Sequence, residues 1–174
     1  MAAFFRDVAF REQRGLGHAV LQAGQFVPED ENMVLILLGD AIVAGCDASS
    51  EMAALSRKTG CGVIGLERVP PEKVSRYGIV KCEGGRIVDL VEKPRAEDAP
   101  SDLAVAGRYL LAREVFRYLA DQSAGVGGEI QLTDAIRRML DAHPVVGYAY
   151  PGRRLDIGNP EGYFKALEAY HENR

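Results

Sequence analysis

An α/β fold built on a mixed sheet is predicted for this chain by three observations. Residues 33–38, MVLILL, are apolar without alternation, as in a strand covered on both faces and flanked by parallel neighbours. A helical stretch over 48–58 and a second apolar run over 61–69 follow it, which completes a βαβ unit. Two short β-prone segments, 77–82 and 86–91, then flank Glu83-Gly84-Gly85, whose hairpin chemistry adds antiparallel strands.

The elements follow in order. A β-prone segment over 4–10 runs into Gly15-Leu16-Gly17-His18, and AVLQAGQFV continues with helical spacing up to Pro28. The strand over 33–38 stops at Gly39-Asp40, and the helix over 48–58 has Ser49 or Ser50 as its expected cap. Beyond the hairpin, 103–111 reads as a strand, 113–121 as a helix, and 132–142 as a helix with Ile136, Met139 and Leu140 on one side. Residues 145–150 and 154–157 read as short closing strands, and Pro160 opens a last helix through Tyr170.

With 174 residues, 47% of them hydrophobic and no internal repeat, the expectation is one domain over 1–174 with one packed core. The net charge of −4 and the lack of any Lys/Arg run longer than Arg137-Arg138 or Arg153-Arg154 exclude a nucleic-acid surface. Cys46, Cys61 and Cys82 are odd in number and form no C-x-x-C pair, which suits reduced thiols in the cytoplasm. No apolar run is long enough to predict a membrane span.

Several positions could carry chemistry. Asp40 directly follows an apolar strand, where open α/β sheets gather ligands; it reads as a ligand for magnesium or as a turn former. Asp156 has the same two readings. Glu92 and Lys93 close a hairpin strand, and Pro94 is expected to keep Lys93 extended. At a strand terminus both can reach one ligand, Glu92 accepting from sugar hydroxyls and Lys93 pairing with a phosphate, or both are solvated charges. Gly15 and Gly17 open a helix whose free N–H groups suit an anion or a polar ring edge, or they are turn glycines. Gly78 exposes backbone to a ligand or begins a strand, whereas Gly107, inside a strand, marks a close approach by a ligand or another backbone. Gly127-Gly128 delivers Glu129 and Gln131 just before a helix that Thr133 is expected to help cap.

Taken together, GLGHAV, LLGD, YGIV, VEKP, AGRYLL, GEIQLTDAI and LDIGNPEGY resemble the UTP–glucose-1-phosphate uridylyltransferases, over nearly the whole chain. The resemblance implies a Rossmann-like nucleotidyltransferase fold and a magnesium-dependent reaction that joins UTP and glucose 1-phosphate into UDP-glucose, releasing diphosphate. It assigns Asp40 and Asp156 to the metal, Glu92 to a sugar hydroxyl and Lys93 to the sugar phosphate. By the same resemblance Gly15 meets uracil, Gly78 and Gly107 meet the sugar through their backbone, and Glu129 lies beside the sugar.

The sequence departs from that family in two places. Nothing in it resembles the G-x-G-T-R-x-x-P loop that grips the triphosphate, and Phe10 stands where a uracil-reading glutamine is common. The resemblance is therefore to an N-terminally truncated member, lacking the first strands of its sheet and expected to be impaired in turnover by itself. A sheet lacking those strands would leave MVLILL as an open edge for self-association into homo-oligomers. Two other readings are a non-catalytic binder of sugar phosphates or sugar nucleotides, and a thymidylyl- or adenylyltransferase.

Overall fold

The structure, a computed structural model, describes residues 13–172. The expected strand over 4–10 and the substitution at Phe10 lie outside the described residues.

Helix α1 (Leu16–Ala23) opens on Gly15 with φ 95° and runs through a 3₁₀ turn to Phe26. Strand β1 (Met33–Leu37) leads through a turn into a strand the sequence did not announce, β2 (Ala41–Ala44). Helix α2 (Ala48–Thr59) is capped by Asp47, whose side chain accepts from the Ser50 N–H at 3.1 Å, rather than by Ser49 or Ser50. The Asp47 carboxylate offers the better acceptor and stands one residue before the first helical position. Gly60, left-handed at φ 68°, ends the helix.

Strands β3 (Gly62–Arg68), β4 (Gly78–Glu83), β5 (Arg86–Glu92) and β6 (Leu103–Ala112) follow. Glu83 pairs with Arg86 across Gly84 and Gly85, both at positive φ, so the expected two-residue hairpin forms. Helices α3 (Val115–Ala120) and α4 (Leu132–Met139), strands β7 (Val145–Ala149) and β8 (Arg153–Asp156), and helix α5 (Pro160–Glu172) complete the chain.

Six strands make one sheet in the order β1-β6-β3-β7-β5-β4, and β2 and β8 make a separate antiparallel ribbon. Strands β1 and β3 run parallel, as a βαβ unit requires, but β6 lies between them and is antiparallel to both. The expectation of parallel neighbours for β1 is thus overturned, and so is its two-sided cover: Leu35 and Leu37 are 44% and 51% exposed. An unbroken apolar run identifies a strand without identifying the direction of its neighbour, and here the neighbour comes from far along the chain. Among the described residues β1 is an edge.

One face of the sheet carries α1, α3 and α4, whose Val20, Val115, Leu119, Ile136 and Met139 close over Ile64, Leu66, Leu90 and Leu111. Each fully buried side chain of this size contributes about 1.5–3 kcal/mol. On the other side α2 packs against β3 and β6, with Ala48 set beside Ala106 and Tyr150.

Candidate active site

The sequence-marked residues fall into two neighbouring groups. Gly78, Glu92, Lys93 and Glu129 line one polar cavity of about 210 Å³, together with Tyr109 and Thr133. Gly78 begins β4 and pairs with Glu92 at the end of β5, so the hairpin sets both on the cavity wall. A side chain at Gly78 would come within 2.8 Å of the Thr133 methyl and 3.4 Å of Glu92 Oε2, and glycine keeps that space clear. Glu92 is held from across the cavity: the buried Thr133 hydroxyl donates to Glu92 Oε2 at 2.9 Å. Thr133 therefore does not cap α4, whose N-cap is Gln131 with no capping bond from its side chain.

Lys93 departs from expectation. Its φ is 46°, the one positive value among the described non-glycine residues, so it is not extended before Pro94. Pro94 disfavours the right-handed helical region, and the chain answers with a left-handed turn pinned by the Lys93 N–H donating to the Tyr77 carbonyl at 3.0 Å. The turn breaks the strand's alternation and brings Lys93 Nζ to 3.6 Å from Glu92 Oε1, placing ammonium and carboxylate on the same cavity. Such a conformation costs about 1–3 kcal/mol and concentrates at ligand sites.

Gly15 and Gly17 lie against the 129–131 segment. A side chain at Gly15 would meet Glu129 Cβ at 2.7 Å, and the Gly17 N–H donates to the Ile130 carbonyl at 2.8 Å. The glycines thus let the start of α1 approach the loop that carries Glu129. That loop turns through Gly127 and Gly128, both at positive φ, and Gln131 Nε2 donates to Glu129 Oε2 at 3.2 Å.

The second group is the acidic pair. Asp40 precedes β2 and Asp156 ends β8; Ala41 pairs with Asp156, and the Ile157 N–H donates to the Asp40 carbonyl at 2.8 Å. Both carboxylates face Gly158, where a Cβ would lie 3.0 Å from Asp40 Oδ2 and 3.3 Å from Asp156 Oδ1. Asp156 is also a turn former, its Oδ1 accepting from the Gly158 N–H at 3.0 Å. Two carboxylates around a space that a methyl group would fill suit a small, hard cation that completes its shell with water and phosphate. Among the described residues no cluster of three or more His, Cys, Asp or Glu side chains is arranged to hold a metal.

Gly107, at φ 74°, is absent from the cavity wall. A side chain there would meet Ala41 Cβ at 2.8 Å, and its carbonyl accepts from the Leu38 N–H at 3.0 Å, so the close approach is by the Asp40 turn. Tyr109, two residues on, lies on the cavity side and was not marked by the sequence. Burial first, then the Glu92 and Asp40 carboxylates, hold its phenol protonated far above the usual range. It lines the sugar cavity with its phenol neutral. Arg154 was also missed as a site element: its side chain, 12% exposed, lies between the acidic ribbon and Tyr77. A larger groove of about 520 Å³ runs between β2 and α5, but it is lined by Ile42, Leu155, Tyr163 and Leu167 and bears no charged side chain.

A mixed sheet with its polar groups gathered where β1 and β5 end is the arrangement in which open α/β proteins receive phosphorylated ligands. The chain belongs to the nucleotidyl transferase family, whose model matches residues 7–173. It is similar to the UTP–glucose-1-phosphate uridylyltransferase of Staphylococcus haemolyticus, 43% identical over 166 residues, which are 92% of this chain and 57% of that protein. It superposes on a UDP-glucose pyrophosphorylase crystallised with UDP-glucose at a TM-score of 0.84 and 37% identity, covering 94% of this chain and 64% of the other. A UTP-bound enzyme of the same name from Acinetobacter baumannii gives a TM-score of 0.77 at 35% identity over 92% and 57% of the two chains. The chain thus spans a little over half the length of the curated relatives it matches.

Proposed function

We propose that these residues form the sugar-phosphate and metal half of a UTP–glucose-1-phosphate uridylyltransferase site, in an enzyme of carbohydrate metabolism. The observation that carries the reading is one cavity presenting Glu92 and Lys93 together, with Arg154 joining Tyr77 of its wall to Asp156 of the acidic pair. Its relatives' names point the same way.

In this reading Glu92, held by Thr133, accepts from the glucose hydroxyls, and the Gly78 backbone and Glu129 bound the ring. Lys93 pairs with the sugar phosphate, and Gly15 presents backbone to the uracil. A phosphate oxygen of glucose 1-phosphate attacks the α-phosphorus of UTP in line; the bond to the bridging oxygen breaks, and diphosphate leaves. No covalent enzyme intermediate and no proton transfer are needed, because the nucleophile is already an anion. The difficulty is repulsion between two anions, which at an effective dielectric near 20 is roughly 4 kcal/mol per pair of unit charges about 4 Å apart. Lys93 offsets part of it. Asp40 and Asp156 would hold a magnesium ion, which when bound supplies further neutralisation of phosphate charge.

The sequence carries no G-x-G-T-R-x-x-P segment, so we infer binding of UDP-glucose with little turnover by these residues alone. The test is calorimetric titration with UDP-glucose and Mg2+, alongside diphosphate release from UTP, dTTP or ATP with glucose 1-phosphate. Absence of UDP-glucose binding would remove the reading, and release from dTTP or ATP in preference to UTP would move it to another nucleotide.

We further propose that copies of the chain associate through β1, whose Leu35 and Leu37 are exposed beside an edge unpaired among the described residues. A concentration-independent monomer in size-exclusion chromatography would count against this. A cytoplasmic setting accords with the three free cysteines, and among the described residues no helix is long and apolar enough to cross a membrane.

A further inference from the structure

The two carboxylates and the sugar cavity are carried by different sheets. Asp156 ends β8 and Asp40 directly precedes β2, Gly78 and Glu92 belong to the six-stranded sheet, and among the described residues no backbone ladder joins ribbon and sheet. Arg154 spans the gap. It lies two residues before Asp156, on the same face of β8, and its Nε donates to Glu67 Oε1 at 2.5 Å near the end of β3. Its Nη2 donates to the Tyr77 hydroxyl at 3.0 Å, and the guanidinium carbon lies 5.1 Å from the centre of the Tyr77 ring. Nη1 stands 3.7 Å from Asp156 Oδ2. Tyr77 in turn lines the cavity and, through its carbonyl, holds the Lys93 N–H. One planar group therefore touches the ribbon, the end of a central strand and the residue that pins Lys93.

We propose that Arg154 is a positioning residue that fixes the distance between the acidic pair and the Lys93 cavity, so that a cation at the one and a sugar phosphate at the other assist each other's binding. This rests on the reading of the site given above. The guanidinium fork makes the geometry; a lysine supplies the charge but cannot meet Glu67, Tyr77 and Asp156 at once.

The test is the affinity of the whole chain for UDP-glucose with and without Mg2+, for the unaltered protein, Arg154→Met, Arg154→Lys and Glu67→Gln, with amide hydrogen exchange on the same samples. Glu67→Gln preserves shape and guards against simple misfolding of the Arg154 variants. The expected result is metal-free affinity within about twofold of the unaltered chain and a Mg2+-dependent gain reduced about fivefold or more in all three variants. Exchange should quicken about tenfold at Lys93 and Ile157 but not at Ile64 or Leu111. Full recovery in Arg154→Lys, or an equal loss with and without Mg2+, would overturn the proposal. If the unaltered chain binds no UDP-glucose, the functional reading fails by itself. Exchange then decides the tether: faster at Lys93 and Ile157 together upholds it, and unchanged rates overturn it.

Discussion

Thr133 Oγ1 donates to Glu92 Oε2 at 2.9 Å, tying the first turn of α4 to the end of β5 across the cavity. Both groups are largely removed from solvent, the Glu92 side chain being 11% exposed. Hydrogen bonds to charged groups contribute about 1.5–3 kcal/mol net. Thr133→Val should therefore lower unfolding free energy by about that amount in urea titration. It should also weaken UDP-glucose binding, because Glu92 loses its fixed orientation.

Lys93→Gly separates conformation from charge. Glycine takes the φ of 46° without strain, so thermal stability should be unchanged or higher, by up to about 1 kcal/mol. Affinity for glucose 1-phosphate should nonetheless fall by tenfold or more, roughly the value of one charge-assisted contact. Lys93→Met should lose the same affinity without the gain in stability.

Gly107→Ala should act on the acidic pair from beneath. The added methyl would lie 2.8 Å from Ala41 Cβ on a backbone at φ 74°, and such overlap costs about 1–3 kcal/mol. Asp40 should shift with Ala41. Calorimetry should show loss of stability together with loss of the Mg2+-dependent part of UDP-glucose binding.

Tyr150 gives the chain an alkaline limit. Burial first, then the Glu67 carboxylate, raises its phenol to about 12, above the ordinary 10.0. The unfolded chain therefore releases this proton first. The contribution to stability is whole below pH 10 and is lost as pH rises from about 10 to about 12. Its hydroxyl is buried with no hydrogen-bond partner among the described residues, so Tyr150→Phe should leave stability at pH 7 equal or higher and flatten the decline above pH 10. Urea titrations across that range would measure both effects.

Much of the fold was legible because its signals are local. Hairpin β4–β5 announces itself by Gly84-Gly85, and the run over 33–38 by its unbroken apolarity. Strand β2 was not legible: four residues without a turn signature become a strand only because Arg153–Asp156 arrives from the far end of the chain. The direction of β6 and the cap by Asp47 were missed for related reasons, one set by a distant partner and the other by competition among adjacent polar residues. In the site, Glu92 and Gly78 were marked by type and position. Tyr109 reads as an ordinary strand residue and Thr133 as a helix cap until the bulge around Gly107 and the approach of α4 aim them inward.

The β2–β8 ribbon also makes the acidic pair a product of long-range closure. Its two strands, Ala41–Ala44 and Arg153–Asp156, lie far apart along the chain, so pairing them closes one of the largest loops among the described residues. The sugar cavity shares that dependence, because Leu16 at the start of α1 lines it together with Glu129 and Gln131. Neither half of the candidate site is complete until these distant parts of the chain have met. A cation held by Asp40 and Asp156 would bind the closed ribbon and not the open chain, and would stabilise the fold by that difference.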